Sequence, residues 1–144
     1  MSDVVALRVG RPRDGTDRLA AARLRLRLVF DSSLRLGPGK IDLLEAIATT
    51  GSISAAARSM EMSYRRAWVL IDEVNRIFTR PVVTATSGGA NGGGARLTEF
   101  GHDLVLAWRA IEAETRAVIA RRLAPFADAI ADPDLASQTR DLDL

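Results

Sequence analysis

Residues 51–101 read GSISAAARSMEMSYRRAWVLIDEVNRIFTRPVVTATSGGANGGGARLTEFG, and this stretch decides the fold. Ser52 is a natural N-cap, and the helix it starts runs to about Met60. Ala55, Ala56 and Ala57 let another helix approach it closely. Only Glu61 and Met62 separate it from Ser63, the cap of a second helix that runs to about Phe78. In that second helix Ala67, Leu70, Ile71 and Val74 recur at i, i+3, i+4 and i+7, the buried face of an amphipathic helix. Tyr64, Arg65, Trp68, Asp72 and Arg76 lie largely off that face. Pro81 ends the helix. Residues 82–86 are rich in β-branched side chains and read as a strand. Residues 87–94 form a glycine-rich tip, and residues 95–98 return as a second strand.

The flanks fit around this centre. Residues 41–50 read as a helix with Ile41, Leu44 and Ile47 on one stripe, stopped by Gly51. Leu24, Leu26 and Leu28 alternate with Arg25 and Arg27, which predicts a strand over 24–30 that lies against the body and is placed to pair with the hairpin. Residues 36–39 (Leu-Gly-Pro-Gly) break the chain. Residues 1–23 read as a mobile leader, with only weak signal for a short helix over 17–23. Thr98 caps a long helix through Leu123. There Leu104, Trp108, Ile111, Thr115 and Val118 are spaced 4, 3, 4, 3, a heptad seam with one polar member. Residues 24–123 thus form the domain, 98–123 its expected dimerisation helix, and 124–144 an acidic tail expected to lack order.

Composition removes several chemistries. The chain has 144 residues, enough for one domain with an added element, and its 47% hydrophobic content supports one core. There is no cysteine, so disulfides, thiolate metal sites and thiol nucleophiles are excluded. His102 is the one histidine; with Asp103 it lacks a third partner, so neither a catalytic nor a metal site is expected. No apolar run approaches the ~20 residues of a membrane span, and no secretory signal is evident, which points to a cytoplasmic protein. Residues 1–123 carry a net charge of +6 and residues 124–144 a net −4, a modest signal for a polyanion partner. Nineteen of the twenty basic residues are arginine, which suits bidentate contacts but also follows from a GC-rich genome.

The short Glu61-Met62 joint makes the second helix cross the first, as a helix-turn-helix requires. The start of that second helix then faces a DNA major groove with Ser63, Tyr64, Arg65 and Arg66. The plainer reading is an αα corner with solvated arginines, and the hairpin that follows argues against it. The glycine tip is no nucleotide loop, because Ala95 and Arg96 follow it where lysine and a hydroxyl are needed. Its bare backbone N–H groups can instead approach phosphates, with Arg80 and Arg96 alongside. A hairpin with no partner is the plainer alternative there. Trp68 and Trp108 read as packing residues, Trp68 beneath the hairpin and Trp108 in the helical seam.

At these residues the chain resembles the N-terminal DNA-binding domain of the ModE family of molybdate-responsive transcriptional regulators. The resemblance runs from about Leu34 to Leu123. It rests on Gly51-Ser52-Ile53-Ser54, Ala56-Ala57-Arg58, Met62-Ser63-Tyr64, Ala67-Trp68, Ile71, Asn75, Pro81, Gly88-Gly89, Gly92-Gly93-Gly94-Ala95, Leu97-Thr98 and Gly101. The helix pair alone is similar to LysR-type regulators, which lack the glycine pattern. The resemblance implies a mostly α winged helix-turn-helix that dimerises on palindromic promoter DNA, with no cofactor and no enzymatic activity. The expected DNA-contacting residues are Ser52, Ser54, Ser63, Tyr64, Arg65, Arg66, Arg80, Gly88, Gly89, Asn91, Gly92, Gly93 and Arg96. The expected dimer contacts are Leu104, Trp108, Ile111, Thr115 and Val118. Residues 124–144 are too few for the family's molybdate-binding domains, so a stand-alone member without an oxyanion effector is expected. The competing class is a winged helix that docks a protein instead of DNA.

Overall fold

The computed structural model describes residues 14–89 and 92–133. They fall into two compact units, one of residues 25–113 and one built from both ends of the chain. Five helices dominate: α1 (Gly15–Ala21), α2 (Pro38–Thr50), α3 (Ile53–Ser59), α4 (Tyr64–Ile77) and α5 (Glu99–Leu123). Two antiparallel hairpins join them: β1 (Leu28–Val29) with β2 (Arg35–Leu36), and β3 (Val83–Gly89) with β4 (Gly92–Leu97). The fold is a winged helix-turn-helix, mostly α with a small β wing, as the sequence predicts. No helix of the described residues is long and apolar enough to cross a membrane.

The core of the larger unit gathers Ile41, Leu43, Leu44 and Ile47 of α2, Ile53, Ala56 and Ala57 of α3, and Ala67, Leu70, Ile71 and Val74 of α4. The four α4 positions read from the sequence are the four it buries. Ser52 caps α3 by accepting from the Ala55 N–H at 3.1 Å, and Ser63 caps α4 by accepting from the Arg66 N–H at 3.0 Å. Gly51 ends α2 in the left-handed region, at φ 71°. The turn between α3 and α4 is a Schellman closure. The Met62 N–H reaches the Ala57 carbonyl at 3.0 Å and the Glu61 N–H reaches that of Arg58 at 3.1 Å. Its left-handed residue is Glu61, at φ 55°, where glycine is the unstrained choice.

The strand expected over 24–30 is shorter and has a different partner. Only Leu28 and Val29 pair, and they pair with Leu36 and Arg35 instead of with the wing. Asp31 is the reason: its carboxylate accepts from the Ser33 N–H at 2.9 Å and turns the chain back at once. Those hydrogen bonds hold the Asp31 carboxyl below the usual carboxylate range.

In the smaller unit, residues assigned to a leader and a tail carry structure. The Asp14 carboxylate accepts from the Asp17 N–H at 2.9 Å and starts α1. Residues Ala124–Ala129 form a 3-10 turn. The two meet so closely that a Cβ on Gly15 would stand 1.7 Å from the Ala127 carbonyl oxygen. Arg18 donates to the Ile130 carbonyl at 3.0 Å. The sequence signal was weak because each element is short and its glycine contact is invisible in one dimension.

Trp108, read from the sequence as dimer core, is 3% exposed and belongs to its own subunit's core, with Leu104 packed against that core. Beside it Arg109 ties α5 to α2. It forks onto Glu45 at 3.0 and 2.8 Å, and meets Asp42 at 2.6 Å and the buried Glu112 at 2.7 Å. The hydrogen bond from Arg109 holds the Glu45 carboxyl below its ordinary value against partial desolvation, and the same contacts push Arg109 above its own.

Glu61→Gly relieves the left-handed strain and should stabilise by about 1 kcal/mol in urea denaturation at pH 7. Arg109→Met leaves Glu112 buried without its cation and should cost about 2 kcal/mol, a figure reduced because Arg109 is partly solvated. Adding Glu112→Leu should recover most of that loss. The folded Glu45 pKa is the lower one, so its contribution is present above the ordinary value of 4.5. That contribution fades as pH falls through the folded value, so the wild-type and Arg109→Met curves should converge in acid.

Candidate nucleic-acid interface

The first turn of α4 is open to solvent, because its buried face begins only at Ala67. Tyr64, Arg65 and Arg66 are exposed, Tyr64 by 55%. Among the described residues neither arginine makes an ion pair. The Ser63 hydroxyl accepts from the Arg66 N–H, so the remaining N–H groups and the helix dipole face outward. Trp68, expected beneath the wing, instead stands partly exposed and edge-on to Tyr64, with ring centroids 6.2 Å apart. The pair makes an aromatic shoulder beside the two arginines.

The wing is rooted at its base. Val83 pairs with Leu97, Thr84 with Arg96 and Ala85 with Ala95, and both strands run on into the glycines until Gly89 faces Gly92. The register breaks between Thr86 and Gly89. The Thr86 hydroxyl fills the gap, donating to the Gly94 carbonyl and accepting from the Gly94 N–H, each at 3.0 Å. Gly88, Gly89, Gly92 and Gly93 are therefore strand ends rather than a loose tip, and Asn91 lies outside the described residues. Arg96 is exposed on β4. Arg80 stacks its guanidinium over the Phe100 ring, 4.6 Å from the centroid, so part of its donor capacity is turned toward the fold.

The remaining expected contacts divide. Ser54 is exposed on α3, whereas the Ser52 oxygen is occupied as a cap. Three positioning residues lay outside the expected set. The Asn75 side-chain oxygen accepts from the Val82 N–H at 2.9 Å, fixing the wing root to α4. The Thr98 hydroxyl donates to the Pro81 carbonyl at 2.7 Å and accepts from the Gly101 N–H at 2.9 Å. A Cβ on Gly101 would lie 2.2 Å from the Val82 carbonyl oxygen. The signal available in sequence was an amide and a hydroxyl flanking Pro81 and the second strand. Among the described residues no three of His, Asp or Glu gather in a group able to hold a metal ion.

Comparison with known proteins agrees with this geometry. Residues 39–102 match the family described as bacterial regulatory helix-turn-helix protein, lysR family. The molybdenum-pterin-binding protein MopB of Rhodobacter capsulatus is 51% identical over 79 residues, which cover 55% of this chain and 29% of MopB. The molybdenum transport protein ModE of Azotobacter vinelandii is 37% identical over 105 residues, 72% of this chain and 39% of that protein. The DNA-binding transcriptional dual regulator ModE of Escherichia coli K12 is 39% identical over 84 residues, 58% of this chain and 32% of that protein. The matched segment spans about a third of the length of these relatives. Over its helix-turn-helix the chain is similar to these ModE-type relatives, and the same segment matches the lysR-family model.

Proposed function

We propose that the chain is a sequence-specific duplex-DNA-binding transcriptional regulator, not an enzyme, acting in the cytoplasm. The observation that carries the reading is the capped, solvent-open start of α4, where Tyr64, Arg65 and Arg66 follow a tight turn from α3. Arginine forks match the O6 and N7 acceptors of guanine, and a helix N-terminus matches a phosphate. The name of the E. coli relative, a DNA-binding regulator, supports the same assignment. In this reading α4 enters the major groove. Ser54 and Ser63 donate to phosphates, and the wing lays Gly88, Gly89, Asn91, Gly92, Gly93 and Arg96 along the backbone. Arg80 adds charge at the wing root. Ser52 caps α3 as Ser63 caps α4, but it is half-buried where Ser63 is exposed, which leaves it a positioning role.

The chain also acts as a homodimer in this reading, so that two α4 helices meet the halves of a palindromic site. The contact runs through Ile111, Thr115 and Val118 of α5. Ile111 is 45% and Val118 44% exposed, whereas Leu104 and Trp108 serve the subunit's own core.

Arg65→Ala and Arg66→Ala should each weaken binding to a selected operator by roughly 1–3 kcal/mol, with melting temperature unmoved. Operator binding equal to wild type in both variants would remove α4 as the reader. Light scattering tests the dimer: wild type should run near twice the 15.5 kDa chain mass and Ile111→Asp near one chain mass. A monomeric wild type would end the dimer reading.

A further inference from the structure

A second basic surface lies beside α4 and shares only Arg66 with the groove-facing start of that helix. It is a concavity of about 660 Å³ lined by Arg25, Arg27, Arg35, Lys40, Arg66 and Glu73, with small and apolar residues between them. Glu73 is neutralised by Lys40 at 2.9 Å. Lys40 also donates to the Arg35 carbonyl, and the Arg35 guanidinium donates to the Ser32 carbonyl at 3.2 Å. Arg25, Arg27 and Arg66 make no ion pair among the described residues. Cations brought together without a carboxylate repel one another unless a polyanion lies among them.

The fold builds this surface deliberately from the sequence alternation. Leu26 packs against the core, so its extended neighbours Arg25 and Arg27 are exposed on the other side. Gly37 lets this segment in: a Cβ there would stand 3.1 Å from the Leu26 carbonyl oxygen. Pairing of Leu28 with Leu36 then pins the hairpin, and the Asp31 charge is spent on its own turn. Location adds the rest. The β1–β2 hairpin feeds directly into Gly37, the N-cap of α2. The wing is tied to the opposite end of α2, where the Ala95 N–H donates to the Gly51 carbonyl at 2.9 Å. A helix of 13 residues separates the two ends by roughly 20 Å. The major groove is about 12 Å wide, so supports at that separation can reach the backbones on both of its sides.

We propose that the β1–β2 hairpin, with Arg25, Arg27 and Arg66, is a second phosphate-binding surface that grips the DNA backbone at the end of α2 opposite the wing. The inference rests on the DNA-binding reading above and extends it. The occupant is duplex backbone rather than a single small anion, because the cations are spread along an open surface and none is buried to cage one ion. The contact is independent of base sequence, so it contributes affinity and register but not discrimination.

The test is an equilibrium titration of the full chain against a selected operator and an unrelated duplex, across a range of salt. For Arg25→Ala/Arg27→Ala the slope of log K against log salt should flatten by about two per bound protomer. That corresponds to roughly 30-fold weaker binding per bound protomer at 0.15 M salt, equally for both duplexes. Arg25→Lys/Arg27→Lys should restore the slope, and it carries the test should the alanine pair fold poorly. Arg121→Ala/Arg122→Ala removes the same charge from the end of α5 and should leave the slope unchanged. A wild-type slope retained by the alanine pair would overturn the second surface while leaving DNA binding intact. Equal flattening by the Arg121/Arg122 pair would reduce it to net charge and overturn it as well. A wild type that binds neither duplex would end both readings.

Discussion

The presentation of α4 depends on a knot of five residues at the wing root. A helix offered to a groove is useful only if its neighbours hold its direction, and here α4, the wing and α5 converge on Pro81 and Val82. Asn75 reaches from α4 to the Val82 N–H. Thr98 takes hold of both carbonyls, that of Pro81 through its hydroxyl and that of Val82 through its N–H at 3.0 Å. Gly101 completes the joint because α5 runs so close to Val82 that no Cβ fits. Val82 is fully buried, so its own N–H and carbonyl would otherwise be buried without a partner, at about 1–3 kcal/mol apiece. A preference for satisfied backbone thus sets the angle between α4 and the hairpin beside it.

The parts legible in sequence were those with a repeat or a cap. The buried face of α4 announces itself by its spacing, and Ser52 and Ser63 by standing just before apolar runs. The parts that escaped are two-body facts. A heptad spacing in α5 says that one stripe is apolar, not what covers it. Leu104 and Trp108 are covered by their own domain, while Ile111 and Val118 are left outside. The 24–30 alternation says strand, but its partner was decided by the Asp31 turn, whose carboxylate has to bend back in space before it counts. In the site, Tyr64 to Arg66 were readable from position alone. Asn75 and Thr98 were not, because their partners stand seven and seventeen residues away in the chain.

Arginine count was a poor guide for a physical reason: guanidinium does several unrelated tasks. Arg109 is a clamp between helices, satisfied by three carboxylates. Arg18 closes the smaller unit on a carbonyl. Arg80 lies on a ring, in line with the edge-on series of Phe30, Phe78 and Phe100. These are spent on the fold. Arg65, Arg66 and Arg96 are exposed, and so are Arg25 and Arg27. Composition counts every cation alike, so only the pairing separates an exposed, unpaired cation from one used inside.

Trp108 shows how a long helix serves two ends at once. Its indole is buried in the core, yet its N–H finds no acceptor among the described residues. Leaving a buried donor unpaired costs about 1–3 kcal/mol, a sum that a phenylalanine would avoid. What the tryptophan gains is area, since an indole buries more apolar surface than any other side chain and spans the width of the helix. A smaller residue at this position would open a cavity in that core. The filled volume offsets the lost hydrogen bond, because truncating a large buried side chain costs more than one unpaired donor.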